Sequence, residues 1–365
     1  MSVVCQIGAG MIGKIMAHDI SKRHELHLAD LDENILKNIK KTNPSIIIKH
    51  IDANDLNQLE EFIEPADIVL LSVPGYLGYN LLKFIISLKK NIVDISFSPN
   101  DPIILDEYAK ENNTTVVFDS GLAPGIPNYL LGSLDLSEQI TEFNYFVGGL
   151  PKKPLPPYNY KAPFSPIDVL EEYTRPARVI ENGELIIKPA LSEVEEKYYS
   201  QSGFLEAFNT DGLRSLLSTM NHIPNMFEKT LRYPGHAELI NKEMETGKIN
   251  PSDTKSLNKL FNHWKLDPYE VEFTILDINI KTKSNNYNFF LYDETDLANN
   301  NTSMSRTTGL TASATIDVIS NGMFDKKGVF PPEIVGSYPG VFDFIKTHLK
   351  RKGIFLKNMN CLNPK

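Results

Sequence analysis

The chain has 365 residues, of which 41% are hydrophobic and 23% are charged, a composition typical of a globular protein large enough for two domains. Its net charge of −9 argues against a nucleic-acid-binding protein and against attachment to an anionic membrane surface. No apolar run in the sequence approaches the about 20 residues of a membrane span. The first predicted strand begins almost at Met1, so we expect no signal peptide.

The cysteine and histidine residues of the sequence indicate the cellular compartment of the protein and whether it binds a metal. The two cysteines, Cys5 and Cys361, cannot build a disulfide framework, and we therefore expect a reducing, cytoplasmic location. The eight histidines show none of the ligand spacings that are typical of metal sites, so the sequence predicts no metal.

Strand and helix patterns alternate with short connections over the first 120 residues. The continuous apolar run within 67–73 is typical of a strand that is buried on both faces of a parallel sheet. Six strands separated by helices predict a doubly wound parallel sheet. The predicted strands are 2–8, 25–30, 45–52, 67–74, 91–97 and 114–119, and the predicted helices are 11–22, 33–41, 55–63, 77–90 and 101–112.

A glycine-rich turn, Gly8–Gly13, follows the first predicted strand, and a second predicted strand ends at Asp30. In such a unit the three glycines permit a tight turn, the approach of a pyrophosphate to the backbone, and close packing of the helix. The helix N-terminus then faces the phosphates. Asp30 would bind the adenosine ribose and favour NAD over NADP, because a 2′-phosphate would meet like charge. The alternative is a βαβ unit with a merely structural turn.

The carboxyl ends of the other early strands complete the predicted cofactor site, because ligands of such sheets bind at that edge. Pro74 ends the fourth predicted strand there, and Asp52 ends the third. The predicted cofactor-binding residues are Gly8, Gly10, Met11, Ile12, Gly13, Asp30, Asp52, Ala53, Ser72, Val73 and Pro74.

The pattern changes after Gly125. Long antiparallel hairpins predict an open sheet, and because exposed sheet edges invite pairing we expect a homodimer or larger homo-oligomer. The six prolines of 151–166 predict an extended surface loop; the alternative is a loop that shapes a substrate cleft or a subunit contact. The other predicted elements are a strand at 140–149, a hairpin of 177–180 and 185–188 around Asn182-Gly183, a helix at 212–220, a hairpin over 270–293 and a small-residue helix at 303–320.

Acidic and hydroxyl side chains lie at the ends of the fifth and sixth predicted strands. Asp119 precedes the turn Gly121–Gly125, and an acid there would lie beside the nicotinamide ring, where it can hold an ammonium group or relay a proton. Ser96 lies near the end of the fifth predicted strand and is a predicted substrate contact. The alternatives are a turn acid at Asp119 and a capped strand end at Ser96.

A second group of polar residues lies in 208–214. Asp211-Gly212 breaks the chain before the predicted helix, so the helix N-terminus and Arg214 predict a site for a substrate carboxylate, with Thr210 beside it. The alternative is a helix cap with a surface arginine. Further candidate carboxylate ligands, each of which has a structural arginine as its alternative, are Arg175 and Arg232.

Seven short motifs follow one another along the chain, namely Gly8–Gly13, Asp119–Gly125, Val147–Pro151, Tyr173–Arg178, Thr210–Arg214, Arg232–His236 and Ser303–Gly309. In this order, and over about residues 1–350, they resemble the superfamily of saccharopine dehydrogenase and lysine 6-dehydrogenase. The turn after Asp119, the Gly148-Gly149 strand and the segment around Asp211 are more similar to lysine 6-dehydrogenase than to saccharopine-forming enzymes. The stretch from about 240 to 265 has no match.

The resemblance implies an NAD-dependent oxidoreductase that acts on the CH–NH or CH–NH2 group of an amino acid. The expected reaction is oxidative deamination of L-lysine at its ε-amine, giving allysine, which closes to a cyclic imine. Alternatives are a saccharopine dehydrogenase or related C–N bond-forming reductase, and a non-catalytic NAD-binding regulatory protein. The expected catalytic residues are Asp119, Asp211 and Arg214, and the expected substrate-binding residues are Ser96, Leu122, Arg175, Thr210 and Arg232.

The expected fold is α/β: a Rossmann-type doubly wound parallel sheet plus a mixed α+β substrate-binding and oligomerisation domain with an open antiparallel sheet. The resemblance also implies that a C-terminal segment returns to the nucleotide domain. The expected domains are an NAD-binding domain of 1–125 with about 300–345, a substrate-binding and oligomerisation domain of 126–300, and a basic C-terminal tail of 346–365.

Overall fold

The computed structural model describes residues 1–135, 137–267 and 270–361. The chain groups into two compact units. Unit 1 comprises Met1–Leu136 and Ser305–Lys352, and unit 2 comprises Ser137–Met304 and Gly353–Lys365. None of the helices in the described ranges combines the length and the apolar character that crossing a membrane requires.

The strands, numbered along the chain, are β1 (Val3–Ile7), β2 (Glu25–Asp30), β3 (Ile47–His50), β4 (Ile68–Leu71), β5 (Asn91–Asp94), β6 (Thr115–Val117), β7 (Ile140–Pro151), β8 (Ala177–Glu181), β9 (Glu184–Lys188), β10 (Glu195–Tyr199), β11 (Gly203–Asn209), β12 (Met226–Arg232), β13 (Glu272–Thr282), β14 (Asn286–Glu294), β15 (Gly328–Phe330) and β16 (Leu356–Asn358). The α-helices are α1 (Met11–Ile20), α2 (Glu33–Thr42), α3 (Leu56–Ile63), α4 (Gly75–Ser87), α5 (Asp106–Glu111), α6 (Ile126–Asp135), α7 (Pro166–Thr174), α8 (Leu216–Thr219), α9 (His236–Glu245), α10 (Thr254–Trp264), α11 (Ser303–Ser320), α12 (Pro332–Gly336) and α13 (Val341–Arg351). Short 3-10 helices lie at Pro102–Leu105 and Met359–Cys361.

Within the described residues, unit 1 contains a seven-stranded parallel sheet in the order β15-β6-β5-β4-β1-β2-β3. β4 is buried along its whole length, in line with its apolar sequence. The strand order reverses between β1 and β4, and such a switch point opens a crevice at the carboxyl ends of the strands. The predicted Rossmann-type sheet is confirmed. Its seventh strand, β15, comes from the segment of about 300–345 that we expect to return to this domain, although the sequence analysis predicts no strand there.

Buried apolar side chains hold the carboxyl ends of these strands in place. Val69 and Leu71 of β4 share one core cluster with Leu82 and Ile85 of α4. Burial of each side chain of this size contributes about 1.5–3 kcal/mol. The strand ends, and the loops that follow them, therefore rest on a packed layer.

A buried network of charged side chains connects α1, α11 and α13 within unit 1. Asp19 of α1 pairs with Arg23 and Lys352, lies 3.1 Å from the Nε2 atom of His348, and accepts a hydrogen bond of 2.6 Å from Ser313. Burial opposes the charge of Asp19, but the hydrogen bonds from these groups outweigh it and hold the pKa of Asp19 well below its usual range. The charged form of Asp19 therefore stabilises unit 1.

Replacing Asp19 by asparagine should lower the free energy of unfolding by about 3 kcal/mol at pH 7, because Arg23 and Lys352 lose their buried counter-charge. Since the native pKa is depressed, the stabilisation is present above the unfolded pKa of about 3.9 and is lost as the pH falls below it. In urea unfolding, the free energies of unfolding of wild type and variant should therefore differ less at pH 3 than at pH 7. Asp343→Asn, at an exposed pair with Lys346, is the control and should change little. An equal difference in the free energy of unfolding at both pH values would contradict this account.

Within the described residues, the sheet of unit 2 follows the path β10-β11-β12-β7-β13-β14-β16, with β8 paired to β12 and β9 paired to β8. β12 and β7 are parallel, and the other neighbours are antiparallel. The predicted hairpins are present as β8–β9 and β13–β14. Asn182 and Gly183 both have positive φ, as the type I′ turn of the first hairpin requires.

The proline-rich segment 151–166 is only in part the extended surface loop that its composition predicts, because residues 152–157 are exposed whereas residues 158–166 are buried or half-buried. Tyr158 and Tyr160 are buried in the core of unit 2 together with Trp264, the last residue of α10. Aromatic side chains of this size stabilise a core strongly when they leave water. The unmatched stretch from about 240 to 265 forms most of α9 and α10, and it supplies that tryptophan.

Two further segments differ from the sequence predictions. The helix predicted at 212–220 is limited to the four residues of α8, because Arg214 has a φ of 47°, which does not occur within a right-handed helix. The segment predicted as a tail, 346–365, begins within α13 and continues through β16. Residues 362–365 of that prediction lie outside the described residues.

Candidate active site

At two positions of the turn after β1, only glycine fits, because a Cβ atom would clash with the backbone. Gly8 has a φ of 101°, and a Cβ atom there would lie 2.1 Å from the carbonyl oxygen of Ser72. A Cβ atom at Gly13 would lie 2.3 Å from the carbonyl oxygen of Gly8. Gly10 differs, since no atom of the described residues lies within 4 Å of its Cβ position. The backbone at Gly10 therefore faces open space.

The N-terminus of α1 presents backbone N–H groups to that space. Its N-cap is Gly10, which has no capping side chain, and the first turn of this fully described helix contains no acidic residue. Gln6 of β1 braces the turn, because its amide donates to the carbonyls of Gly8 at 2.8 Å and Gly13 at 2.7 Å. An uncapped helix N-terminus carries partial positive charge and binds anions. These residues fit the pyrophosphate of a dinucleotide.

Asp30 ends β2 beside the glycine turn. Its Oδ2 atom accepts a hydrogen bond from the Ala9 N–H at 2.5 Å, and its Oδ1 atom accepts one from the Asp32 N–H at 2.7 Å. A carboxylate has about four acceptor positions, so both oxygens keep capacity for ribose hydroxyl groups. The residues that follow, Asp32 and Glu33, are also acidic. This arrangement suits a ribose better than a phosphate.

The other predicted cofactor residues lie at the same edge of the sheet of unit 1. Ser72, Val73 and Pro74 follow β4, which neighbours β1 at the switch point. Asp52 and Ala53 follow β3. Asp52 accepts hydrogen bonds from the backbone and side chain of Asn54, which lower its pKa. The sequence-predicted cofactor residues thus lie together at the carboxyl ends of β1 to β4.

Asp119 follows β6 at this edge. The N–H of Ser120 donates to the carbonyl of Asp94 at 3.3 Å, which ties the segment to the end of β5. The Ser120 hydroxyl lies 2.8 Å from the hydroxyl of Tyr129 and 2.7 Å from that of Thr315, so the backbone next to Asp119 is fixed within unit 1. Asp119 itself is 4% exposed and has a φ of 52°, which aspartate and asparagine adopt more readily than most residues.

Ser96 and Leu122 lie in the interior of unit 1. Both residues are almost fully buried, and a Cβ atom on Gly78 of α4 would lie 2.0 Å from the Ser96 hydroxyl oxygen. Ser96 therefore packs under a helix that must carry glycine at this point. No contact in the structure points from either residue to a substrate, so their predicted substrate contacts stay predictions and we leave both out of the proposed substrate site.

Asp211 follows β11 in unit 2 and holds two arginines. Its two oxygens accept hydrogen bonds from the Nε and Nη2 atoms of Arg178, both at 2.9 Å, and Arg175 Nε lies 3.3 Å from Oδ2. The Asp211 side chain is 1% exposed. Because both oxygens already face guanidinium groups, this geometry does not fit a catalytic role for Asp211 or a substrate-carboxylate role for Arg175. The three residues instead fix the chain just before Arg214.

Glu228 of β12 fixes the same segment from the other side. The Thr210 hydroxyl and the Gly212 N–H both donate to its Oε2 atom, at 2.7 and 3.1 Å. A Cβ atom on Gly212 would lie 2.5 Å from that oxygen. Burial, aided by the nearby Glu172 and Asp211 carboxylates, raises the pKa of Glu228 to about 8 despite these hydrogen bonds. Thr210 is therefore a structural partner of Glu228 rather than the predicted substrate contact.

Arg232 of β12 lies inside unit 2, with its side chain 3% exposed. Its Nε atom donates to the Tyr173 hydroxyl at 2.7 Å, and its Nη1 atom donates to the Leu231 carbonyl at 2.8 Å. The guanidinium group lies over the Tyr160 ring, 4.3 Å from the centroid, and Nη2 is 3.9 Å from Glu172 Oε2. This burial does not fit the direct contact with a substrate carboxylate predicted for Arg232.

Gln6, Glu228 and Glu172 were missed at the level of sequence, although the first two of them left a signal. Gln6 interrupts an otherwise apolar strand, and Glu228, Thr230 and Arg232 alternate along β12. A period of two places alternating residues on one face of a strand, so the latter three could have been recognised as one polar row. Glu172 left no such signal.

The glycine turn, the switch point and the acid at the strand edge define a dinucleotide-binding fold of the Rossmann type. A family model described as the saccharopine dehydrogenase NADP binding domain matches residues 4–117, and one described as the saccharopine dehydrogenase C-terminal domain matches residues 121–354. The chain therefore belongs to the saccharopine dehydrogenase family. Unit 1 carries the nicotinamide-dinucleotide-binding domain of that family.

Curated relatives and one solved structure are similar to this chain. The mitochondrial α-aminoadipic semialdehyde synthase of Rattus norvegicus is 26% identical over 207 residues, which is 53% of this chain and 22% of the relative. The saccharopine dehydrogenase [NADP(+), L-glutamate-forming] of Pyricularia oryzae is 25% identical over 227 residues, 59% of this chain and 50% of the relative. The chain thus spans half or less of the length of these relatives. The apo saccharopine dehydrogenase (L-Glu forming) from Saccharomyces cerevisiae has the same fold, with a TM-score of 0.79 at 18% identity over 98% of this chain and 99% of that one.

Proposed function

We propose that this protein is an NAD-dependent dehydrogenase that oxidises the amine-bearing carbon of an amino acid, with L-lysine at its ε-amine as the substrate. Its product would be allysine, which closes to a cyclic imine. The observation that carries the proposal is Asp119, a buried carboxylate at the edge of the sheet across which the nicotinamide end of a dinucleotide lies. Membership of the saccharopine dehydrogenase family supports the class of reaction.

In this proposal, two residues bind the substrate. Asp119 binds the ammonium group. After that group releases one proton to water, the neutral amine loses a hydride, and Asp119 stabilises the iminium that forms, an interaction that burial strengthens. Arg214 binds the substrate carboxylate through charge-assisted hydrogen bonds, from a segment that Asp211 and Glu228 hold in place. The cofactor, when bound at the glycine turn, supplies the hydride acceptor. Water then hydrolyses the imine to the aldehyde.

The acidic end of β2 supports NAD as the cofactor, although the family model and the fungal relative carry NADP in their names. We expect the Kd for NAD to be at least about tenfold lower than that for NADP, because a 2′-phosphate would face Asp30. Asp30→Ala combined with Leu31→Arg, at an exposed position, should reverse the preference. Asp253→Ala removes the cap of α10 in unit 2 instead and should lower stability without altering the preference. Equal or tighter binding of NADP by the wild type would remove the role given to Asp30.

A second candidate function is that of a saccharopine dehydrogenase. The names of the relatives favour it, and so do three arginines of unit 2, since Arg175 and Arg178 pair with Asp211 and Arg214 follows Asp211 by three residues. A larger substrate with several carboxylates needs such cations. Arg175 and Arg178 already face Asp211, however, so the lysine reaction remains our primary proposal.

A screen of amino acids and polyamines for NADH formation by the purified protein tests the proposal. We expect turnover with L-lysine and less with diamines that lack the carboxylate, because Arg214 would have no partner. The absence of turnover with every amine, in a protein that still binds NAD, would instead support the non-catalytic alternative.

A further inference from the structure

Gln6 of β1 is a polar side chain inside unit 1. It is fully buried, and the other residues of its strand are apolar. Its Nε2 atom donates to the carbonyl oxygen of Gly8 at 2.8 Å and to that of Gly13 at 2.7 Å. Both protons of the amide are thereby used, and they hold the two ends of the glycine turn.

The amide oxygen of Gln6 gains nothing from its burial. Within the part of the chain that the structure describes, the Oε1 atom has no hydrogen-bond partner. Turning the amide over would bring this oxygen against two carbonyl oxygens, so the bonds from Nε2 fix its orientation. An apolar side chain of similar size would avoid the buried, unpaired oxygen. What glutamine adds at this position is therefore its contact with the two carbonyl groups.

The Gly8–Ala9 peptide group is held from both sides. Its carbonyl oxygen accepts from Gln6, and its N–H group, that of Ala9, donates to Asp30 Oδ2 at 2.5 Å. A donor on one side and a charged acceptor on the other polarise the peptide group in the same direction, so each hydrogen bond strengthens the other. One peptide group thus connects a core residue with the acid at the end of β2.

Gly8 gives this peptide group a freedom that the two hydrogen bonds remove. Gly8 has a φ of 101°, and glycine adopts positive and negative φ about equally readily. If the Gly8–Ala9 peptide group turned over, its carbonyl oxygen would face the Asp30 carboxylate, and both hydrogen bonds would be lost. Gln6 and Asp30 together therefore select the orientation in which the N–H group points to the carboxylate.

We propose that Gln6 is a positioning residue that sets the orientation of Asp30 through the Gly8–Ala9 peptide group and thereby increases the preference for NAD over NADP. This role rests on the proposed function, in which Asp30 binds the adenosine ribose. The Oδ1 atom of Asp30 accepts separately from the Asp32 N–H at 2.7 Å, so loss of the Ala9 contact lets the carboxylate turn about that second bond. A carboxylate that turns must be ordered when the ribose binds, which lowers the affinity.

Gln6→Met tests this role, because methionine has a similar length and no N–H group. The Kd for NAD, measured by titration of the purified full chain, should rise by about three- to tenfold, in line with the loss of one hydrogen bond. The Kd for NADP should change less, since a 2′-phosphate gains nothing from a fixed Asp30. The ratio of the Kd for NADP to the Kd for NAD should therefore fall.

Thr115→Val is the matched control for Gln6→Met. The Thr115 side chain is also buried in unit 1, and its hydroxyl donates to a backbone carbonyl, that of Lys326, at 2.7 Å. Thr115 begins β6, whereas the glycine turn lies at the carboxyl edge of the sheet. Thr115→Val should therefore lower stability and leave both Kd values unchanged.

A double-mutant cycle determines whether Gln6 acts through Asp30. Asp30→Ala should raise the Kd for NAD, and adding Gln6→Met should then have little further effect, because the residue that Gln6 positions is already absent. Asp67→Ala is the control, since the Asp67 carboxylate accepts the Val3 N–H at 2.8 Å at the other end of β1. In the Asp67→Ala background, Gln6→Met should keep its full effect.

NMR of the Gln6 side-chain amide tests the same coupling without a change in the core, should Gln6→Met fail to fold. Its signals should shift in Asp30→Ala, because the charge that polarises the Gly8–Ala9 peptide group is gone. They should stay in place in Asp67→Ala. Unshifted signals in Asp30→Ala would overturn the proposed coupling.

The outcomes distinguish the role of Gln6 from the proposed function. If Gln6→Met is less stable but keeps both Kd values, while Asp30→Ala loses affinity for NAD, the role of Gln6 is overturned and the proposed function is left intact. The same holds if Gln6→Met has an equal effect on the Kd for NAD with and without Asp30. Unchanged Kd values in Asp30→Ala would overturn both the role of Gln6 and the ribose contact of the proposed function.

Discussion

Replacing Asp119 by asparagine is expected to lower kcat by about 100-fold or more, the size of effect typical of acid–base and charge-stabilising groups. The substitution preserves shape and removes the charge that the ammonium and iminium groups need. Asparagine tolerates the left-handed backbone conformation at this position at least as well as aspartate. The melting temperature and the Kd for NAD should therefore stay close to those of the wild type.

Measuring kcat, Tm and the Kd for NAD on one purified Asp119→Asn variant separates the two roles of this residue. If Asp119 is only a turn acid, stability should fall by about 1 kcal/mol and kcat should stay near normal. Asp101→Asn is the matched control, because the Asp101 carboxylate caps a short 3-10 helix through the Ile103 N–H. It should leave kcat unchanged.

Replacing Arg214 by methionine is expected to lower kcat/KM for the amino acid by about 10- to 100-fold, since a charge-assisted hydrogen bond contributes about 1.5–3 kcal/mol. The Kd for NAD should change little. Methionine and arginine meet the same backbone cost at a φ of 47°, so the comparison isolates the side chain. The helix N-terminus plays no part in this expectation, because α8 has four residues.

Steady-state kinetics with Arg214→Met and Arg178→Met check this assignment. Arg178 pairs with Asp211 and serves the fold in our account, so its loss should lower stability and leave KM less affected. Arg214→Lys keeps the charge and should recover part of the binding. Unaltered amino-acid kinetics in Arg214→Met would support a purely structural arginine.

The nucleotide unit could be predicted from the sequence because its signals are local. Gly8, Gly10 and Gly13 follow one strand, and Asp30 ends the next, so short-range spacing alone brings them to one edge. The acid at Asp119 could be placed in the same way, from the end of a strand. What the spacing did not reveal is the bracing by Gln6, whose role depends on where its side chain points.

The substrate unit was harder to predict because its contacts are distant in the chain. Tyr173 and His236 are 63 residues apart, and Tyr173 and Arg232 are 59 apart, so no local pattern links them. Asp211 looked like a catalytic acid because the arginines that neutralise it lie on another strand and at a helix end. Tyr158 and Tyr160 looked exposed because prolines surround them, whereas tertiary packing with Trp264 decides their burial.

The measurement that tests the central claim most directly compares L-lysine and saccharopine, each with NAD, by following NADH absorbance with the purified full chain. Our account predicts NADH formation with L-lysine at a higher kcat/KM than with saccharopine, and a lower rate when NADP replaces NAD. Turnover of saccharopine alone, or reduction of NADP in preference to NAD, would contradict it.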